Sequence, residues 1–270
     1  MSGTVTAVGD HLREWRQRRR MSQLDLACEA EISTRHLSFM ETGRSQPSRE
    51  MVLRLAERLE VPLRERNALL VAAGFAPIFP QRPLDDPALA SARRAVDLIL
   101  KGHEPFPALA VDRDWNMVAA NRMIAPLMAS AADELKAAPV NIIRLSLHPR
   151  GLAPRIVNFV EWRAHLLERL RRDAEITANP KLRDLLAEVL AYPTPPGTKL
   201  KQPANDFTGI AVPFQFSSPA GTLSFYSTTT VFGTPVDVTL SELMLETFFP
   251  ADEATAAYVR AVDADLAKST

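Results

Sequence analysis

The chain has 270 residues and a formal net charge of zero, with 46% hydrophobic and 24% charged residues. These values are typical of a globular protein of about two domains and exclude a disordered or fibrous chain. A single cysteine, Cys28, excludes an intrachain disulfide and a CxxC metal or redox motif. The sequence shows neither a secretory signal nor the ~18 uninterrupted apolar residues of a membrane span. We therefore expect a cytoplasmic protein that does not contact a membrane.

The charge is distributed unevenly along the chain. Residues 1–82 contain 13 Arg, no Lys and 10 Asp or Glu, a net charge of +3, so the remainder carries −3. A run of arginines at 16, 18, 19 and 20 contributes much of the positive charge. This run fits either a phosphate-contacting cluster or a solvated helix end.

Residues 1–76 predict five short helices with recognisable ends. Ser22, Ser33 and Ser48 are N-cap candidates, and Asp25, three residues after Ser22, could complete a capping box. Gly43 fits the position just beyond a helix end. The predicted helices are Val8–Arg19, Gln23–Glu29, Thr34–Glu41, Arg49–Leu59 and Pro62–Gly74.

Four prolines at 77, 80, 83 and 87 indicate that residues 77–87 form a linker. Residues 88–270 then mix helical and β-rich segments, which predicts an α+β domain with roughly five strands and several helices. The predicted strands are Leu109–Asp112, Met117–Ala120, Gly209–Phe216, Thr222–Phe232 and Pro235–Phe249. The predicted helices are Ala88–Gly102, Asn121–Met128, Ile156–Glu175, Pro180–Ala191 and Ala254–Ala267.

The segment from Ser22 to Ser33, followed by Leu37 and Met40-Glu41, resembles the helix-turn-helix of the Xre and phage-repressor family. Small Ala27 stands where two crossing helices touch. The resemblance implies an all-α, five-helix, lambda-repressor-like domain that binds a double-stranded DNA operator. One position departs from the family, because Glu31 replaces the usual turn glycine. If the turn needs a left-handed backbone, a residue other than glycine destabilises the fold by on the order of 1 kcal/mol.

Helical spacing identifies the face of the second motif helix that reads DNA. Leu37 and Met40 define its buried side, so Arg35, Ser38 and Phe39 point away from the core. In the major groove, an arginine can donate two hydrogen bonds to guanine, and an apolar side chain can contact a thymine methyl group. Side chains near helix N-termini suit phosphates. The predicted DNA-contacting residues are Gln23, Ser33, Thr34, Arg35, His36, Ser38, Phe39 and Arg44.

A second resemblance covers nearly the whole chain. Thr34–Arg44, Val111–Asn116, Asn141–Pro149 and Ser227–Pro235 resemble the corresponding stretches of MmyB-like transcription regulators of bacteria. The resemblance implies that residues 88–270 form a PAS-like, ligand-binding α+β domain. A fatty acid is a bound ligand associated with that fold.

Aromatic residues near the predicted strands could line an apolar pocket or simply fill the core. Arg144 and Arg163 could anchor a carboxylate head group, because the arginine donors form a fork, or could instead form internal salt bridges. The candidate ligand-binding residues are Arg144, His148, Asn158, Trp162, Arg163, Phe214, Phe225 and Tyr226.

These features predict a homodimeric transcription factor, acting as a repressor, whose second domain binds a small hydrophobic effector. The five histidines lack metal-ligand spacing, and no GxSxG or Walker motif is present, so we expect no catalytic residues, metal or cofactor. A haem sensor would need His148 or His165 as axial ligand, and a flavin photosensor would need a cysteine in the second domain. An enzyme carrying a DNA-binding head and a protein-interaction module are the alternatives.

Overall fold

The computed structural model describes residues 7–198, 212–233 and 235–268. The chain divides into two units, neither of which is continuous in sequence. The helical unit contains residues 7–83, Glu175–Thr177 and the described part of Thr234–Ser241. The sheet unit contains the other described residues from Leu84 onwards.

Five helices, α1 to α5, form the N-terminal part of the helical unit. They span Val8–Arg18, Gln23–Glu29, Thr34–Glu41, Arg49–Arg58 and Leu63–Ala72. The predicted five-helix arrangement is confirmed, and each helix ends within two residues of its predicted bounds.

The predicted caps explain where these helices begin. The Ser22 hydroxyl accepts the Asp25 N–H at 3.1 Å and the Asp25 carboxylate accepts the Ser22 N–H at 2.8 Å, which completes a capping box. Ser33 and Ser48 cap α3 and α4 in the same way. Glu31 has a φ of 56°, so the turn of the motif is left-handed at the position where the family has glycine.

Close backbone contact brings α1 against α3. Leu12, Leu37 and Met40 are fully buried in this contact region. A Cβ atom on Gly9 would lie 2.5 Å from the Met40 carbonyl oxygen, so only glycine allows this approach. Gly9 therefore helps to set the position of the helix predicted to read DNA.

Residues of the predicted linker take part in the helical unit. The Asn67 side chain donates to the Phe79 carbonyl and accepts from the backbone N–H groups of Ile78 and Phe79. Arg82 donates to the Asp237 carboxylate at 3.0 Å, and the Val238 N–H donates to the Pro80 carbonyl at 2.8 Å. These bonds hold a segment that lies far along the sequence within the helical unit.

The remaining helices and strands follow in chain order. The strands β1 to β5 span Ala108–Val111, Met117–Ala120, Phe214–Ser218, Gly221–Val231 and Met244–Pro250. The helices α6 to α11 span Ala90–Gly102, Ile124–Met128, Asp133–Lys136, Ile142–Leu147, Phe159–Thr177 and Pro180–Leu190, and α12 and α13 span Val238–Ser241 and Glu253–Lys268. Short 3₁₀ turns cover Pro87–Leu89 and Ala153–Arg155.

The five strands form one antiparallel sheet in the order β2-β1-β5-β4-β3. Strand β1 is buried on both faces. Its Leu109 and Val111 join the main apolar core, whereas Ala108 and Ala110 pack with residues of α6 such as Val96. The α+β, PAS-like fold class predicted from the sequence is confirmed.

Some element predictions need correction. A single strand over Pro235–Phe249 is wrong in its first half, because Asp237 accepts the Thr239 N–H and starts the short helix α12. Part of the predicted strand Gly209–Phe216 lies outside the described residues, and β3 begins at Phe214. The helices α8 and α9 were not predicted. The Asn141 side chain caps α9 by accepting the Arg144 N–H.

Candidate functional site

The helix α3 presents an exposed polar face on the helical unit. Arg35 and His36 are exposed and Thr34 and Ser38 are half-buried, whereas Leu37 and Met40 lie in the core. Ser33 caps the N-terminus of α3 by accepting the His36 N–H at 3.1 Å.

Phe39 lies between two arginines on this face. The guanidinium carbon of Arg35 is 5.2 Å from the centre of the Phe39 ring, and that of Arg44 is 5.9 Å from it. Both distances allow a cation–π contact, which limits the conformations of the two long side chains. We call Arg35, Phe39 and Arg44 the arginine–phenylalanine cluster. It presents two positive charges supported on a half-buried apolar ring.

A buried ion pair fixes the orientation of α3. Glu41, whose side chain is 1% exposed, accepts from Arg16 at 2.7 and 3.0 Å. The Gln23 amide also donates to Glu41, at 2.7 Å. One carboxylate at the end of α3 therefore connects α1, α2 and α3.

The environment of Glu41 keeps its carboxyl group ionised. Burial alone would raise the pKa of Glu41, but hydrogen bonds from Arg16 and Gln23 and the charges of Arg16 and Arg13 together hold the pKa below its ordinary value. The same hydrogen bond raises the pKa of Arg16. The pair is thus charged in neutral solution.

The arginine run at the end of α1 makes contacts within the helical unit. Arg16 pairs with Glu41, Arg18 pairs with Glu14 at 2.6 Å, and Arg19 donates to the carbonyls of Leu59 and Glu60. Neither a phosphate-contacting cluster nor a solvated helix end anticipated these contacts, which give the three arginines a structural role.

The sheet unit contains a narrow cavity of about 80 Å³ beside its main core. Its wall is mostly apolar and is built from β1, β2, β3, β5, α7, α9 and α10. Residues that line it include Leu109, Met117, Leu127, Trp162, Leu166 and Phe248. The Trp162 ring nitrogen donates to the Ser146 hydroxyl at 3.0 Å, so this pair is already satisfied inside the wall.

The polar end of the cavity holds an ion pair. Arg169 on α10 donates to Glu246 on β5 at 2.6 and 3.2 Å and to the Thr229 hydroxyl at 2.8 Å. Its guanidinium carbon lies 4.7 Å from the centre of the Trp115 ring, and the Trp115 ring nitrogen donates to Asp173 at 3.1 Å. We call Trp115, Arg169, Asp173, Thr229 and Glu246 the cavity cluster.

Burial shifts the pKa of two groups on the same helix. It lowers the pKa of His165, and the positive charge of Arg169 lowers it further. It also raises the pKa of Asp173, against the opposing effects of Arg169 and the Trp115 hydrogen bond. His165 is therefore neutral at pH 7.

Comparisons with known proteins identify both units. A family model of the MmyB-like transcription regulator ligand-binding domain matches residues 92–262. A helix-turn-helix domain model matches residues 7–69. The chain belongs to the MmyB-like transcription regulator family. The two matches together make it a ligand-regulated, DNA-binding transcription regulator.

Other comparisons add little to this assignment. No curated protein sequence matches the chain. The solved structure of an RNA-binding light-oxygen-voltage receptor is 13% identical, with a TM-score of 0.23. The match covers 97% of this chain and 64% of the receptor chain. A likeness this low supports no conclusion about the MmyB-like regulator.

Of the predicted ligand-binding residues of this MmyB-like regulator, Trp162 and Phe214 line the cavity. Phe225 is fully buried and stacks on Phe214, with the ring centres 6.4 Å apart. Tyr226 points outward and is 42% exposed. The Asn158 amide donates to the Pro213 carbonyl and so joins the start of α10 to β3.

The two arginines predicted as carboxylate anchors have partners outside the cavity. Arg144 is exposed and forms two 2.7 Å hydrogen bonds with Glu188. Arg163 donates to the carbonyls of Val189 and Leu190 at the end of α11. His148 accepts the Arg150 N–H and packs its ring against Tyr192.

Sequence reasoning missed the cavity cluster. A signal exists for two of its five members, Arg169 and Asp173, because they follow Trp162 and Leu166 on α10 at intervals of four, three and four residues. That spacing places an arginine and an aspartate on an otherwise apolar helical stripe. No comparable signal connects Arg169 with Glu246, which lies 77 residues away.

The described residues also bear on two other classes of site. No three His, Cys, Asp or Glu side chains in this part of the chain come together as metal ligands would. None of the described helices combines the length and apolar character that a membrane crossing requires.

Proposed function

We propose that this regulator is a repressor that reads its operator with α3 and changes its DNA affinity when a small hydrophobic effector binds the sheet unit. The observation that carries the DNA-reading part is the arginine–phenylalanine cluster on the exposed face of α3. The phosphates of a DNA duplex attract the two guanidinium groups that pack on the Phe39 ring. Arginine side chains can also recognise base edges by hydrogen bonds.

Arg35 is the proposed base contact, because it is exposed in the first turn of α3, where recognition helices meet base edges. Phe39 beside it offers an apolar edge to a thymine methyl. Thr34, His36 and Ser38 border the same surface. Gln23, Ser33 and Arg44 are the proposed phosphate contacts.

A single small helix-turn-helix head reads only a few base pairs, so we expect the regulator to act as a homodimer. The operator would then have two-fold symmetry, with half-sites about 34 Å apart or a multiple of that distance.

The proposed effector has a fatty-acid-like chain that enters the cavity lined by Trp162 and Phe214. Apolar walls with a few polar groups are typical of such sites. The cavity of about 80 Å³ is smaller than the roughly 300–1,000 Å³ of ligand pockets, so binding requires movement of its wall. Met117 and Met128 suit this movement, because methionine side chains are flexible. An effector that binds one conformation of the protein more tightly than another favours that conformation. The DNA affinity of the protein then changes by at most the difference between the two effector-binding free energies.

Selection from a random DNA library tests the DNA-reading proposal. We expect enrichment of one two-fold symmetric sequence, whose protected region has two equal halves in footprinting. A single asymmetric half-site would contradict the homodimer, and a lack of enrichment would contradict base reading. Transcription in vitro from a promoter that carries the selected site should fall when the regulator is added, and a rise would contradict repression.

A further inference from the structure

The arginine–phenylalanine cluster leaves an aromatic side chain partly on the surface of α3. Phe39 is half-buried, although Leu37 and Met40 beside it are fully buried. Its ring packs against the guanidinium groups of Arg35 and Arg44, and both arginines are exposed. Among the described residues, no carboxylate forms an ion pair with either arginine. The arginine donors and the exposed part of Phe39 are therefore available to a nucleic acid at the same time.

The contact between Arg35 and Phe39 relates the ring to one particular base pair. A guanidinium that donates two hydrogen bonds to O6 and N7 of guanine lies close to the plane of that base. The ring centre of Phe39 is 5.2 Å from the guanidinium carbon of Arg35. Successive bases of a strand are about 3.4 Å apart. A ring that stays packed on the face of this guanidinium therefore lies at the level of the base pair next to the guanine.

The major-groove edge of that neighbouring base pair carries a methyl group only for some bases. Thymine presents its C5-methyl group in the major groove. Cytosine that is methylated at C5 presents a methyl group at the same ring position, whereas cytosine itself does not. Covering a methyl group with an apolar ring is favourable, because it removes apolar surface from water.

We propose that α3 reads a guanine together with the C5-methyl group of the neighbouring pyrimidine, so that thymine and 5-methylcytosine both favour binding at that position. This inference rests on the DNA-reading part of the proposed function. Arg35 binds the guanine, and Phe39 covers the methyl group. Where the operator has cytosine beside the guanine, methylation of that cytosine at C5 then strengthens binding.

The test uses the full-length regulator and synthetic duplexes that carry the sequence selected from the random library. Each thymine next to a guanine in one half-site is replaced in turn by deoxyuridine, 5-methylcytosine or cytosine, with the complementary base opposite. At one such position, we expect thymine to bind about fourfold more tightly than deoxyuridine, the factor given by burial of one methyl group. We expect 5-methylcytosine to bind more tightly than cytosine by the same factor.

Two variants assign the effect to the ring. Phe39→Ala should reduce both affinity ratios to about one, because the methyl group then loses its cover. Val71→Ala is the matched control, because Val71 is an apolar residue of α5 that is 58% exposed and should leave both ratios unchanged. Each ratio compares two duplexes on the same protein, so a general loss of affinity cancels.

A photochemical measurement needs no variant. Deoxyuridine that carries iodine at C5 replaces the thymine, and irradiation should crosslink it to Phe39, as mass spectrometry of the digested protein would show. The inference therefore stays testable even if Phe39→Ala does not fold. A crosslink to a different residue in place of Phe39 would overturn it.

The outcomes separate this inference from the proposal on which it rests. A selected sequence without a thymine beside a guanine, or equal affinities within either pair of duplexes at every such position, would overturn the inference and leave base reading in place. Ratios that persist in folded Phe39→Ala would also overturn it. A lack of any enriched sequence would overturn both the inference and the DNA-reading proposal.

Discussion

The helical unit and the sheet unit assemble their functional side chains in different ways. The proposed DNA-reading surface of the helical unit comes from one short helix and the loop after it, with Arg35, Phe39 and Arg44 within ten residues. The cavity cluster of the sheet unit draws on Trp115, Arg169 and Glu246 from three distant parts of the chain. A surface built from neighbouring residues can be derived from helical spacing, whereas a cavity built from distant ones depends on the completed fold.

Two bidentate ion pairs, one from each unit, lie in different surroundings. The Arg16–Glu41 pair of the helical unit is buried, with side chains 11% and 1% exposed. The Arg144–Glu188 pair of the sheet unit is 44% and 37% exposed. Two ion pairs of similar geometry should therefore contribute very differently to the free energy of unfolding.

The largest effect should come from breaking the buried pair. Glu41→Ala leaves the Arg16 guanidinium without its counter-ion and Gln23 without its acceptor, which should cost about 3–5 kcal/mol. Glu188→Ala should cost only about 0–1 kcal/mol. Hydrogen exchange measured segment by segment shows which unit loses stability, and equal losses would contradict the contrast between the two ion pairs.

Acid should weaken the helical unit through the same carboxylate. The folded pKa of Glu41 lies below its ordinary value of 4.5, so its contribution to folding is present above that value. The contribution is lost as the pH falls through the lower, folded pKa. The stability difference between the unsubstituted protein and Glu41→Ala should therefore shrink as the pH falls below 4.5 in urea unfolding. A difference that stays constant down to about pH 2 would contradict this assignment.

A smaller effect is expected at the contact between α1 and α3. Gly9→Ala places a Cβ atom 2.5 Å from the Met40 carbonyl oxygen, so the helices must separate at a cost of about 1–3 kcal/mol. Gly102→Ala in α6 is the control, because nothing lies within 4 Å of its added Cβ. A thermal melt in which Gly9→Ala is as stable as Gly102→Ala would refute the close approach.

The smallest effect should be a gain in stability. Glu31→Gly relieves a left-handed backbone at φ 56°, which should stabilise the helical unit by up to about 1 kcal/mol. Glu29→Gly, at the end of α2, should instead destabilise it by a similar amount. Urea midpoints that move in the same direction for both variants would rule out strain at Glu31.

Local chemistry explains why much of the helical unit could be predicted. Ser22 and Asp25 form their capping box within four residues, and Ser33 and Ser48 cap helices that begin beside them. Arg35 and Phe39 emerge on the outer face because Leu37 and Met40 occupy the inner one. These relationships need only the helical repeat.

Long-range pairing explains what could not be predicted in the sheet unit. Arg144 lies in an apolar run, which suggested a ligand anchor, but Glu188 on α11 pairs with its guanidinium. Arg169 lines the cavity because β5 brings Glu246 to α10. Asp237 was predicted within a strand, although its side chain starts a helical turn. The partners of Arg144 and Arg169 are chosen by the tertiary fold rather than by neighbouring residues, whereas the helical turn at Asp237 is a local feature that the strand prediction missed.

Base preference measured on variants of α3 tests the central claim most directly. With the sequence selected by the unsubstituted protein, Arg35→Ala should lose about 1–3 kcal/mol of binding and relax the preference at one base pair of each half-site. Arg58→Ala, an exposed arginine on α4, should keep the full preference. An Arg35→Ala variant that is folded and retains the same preference at every base pair would contradict the claim that α3 reads the operator.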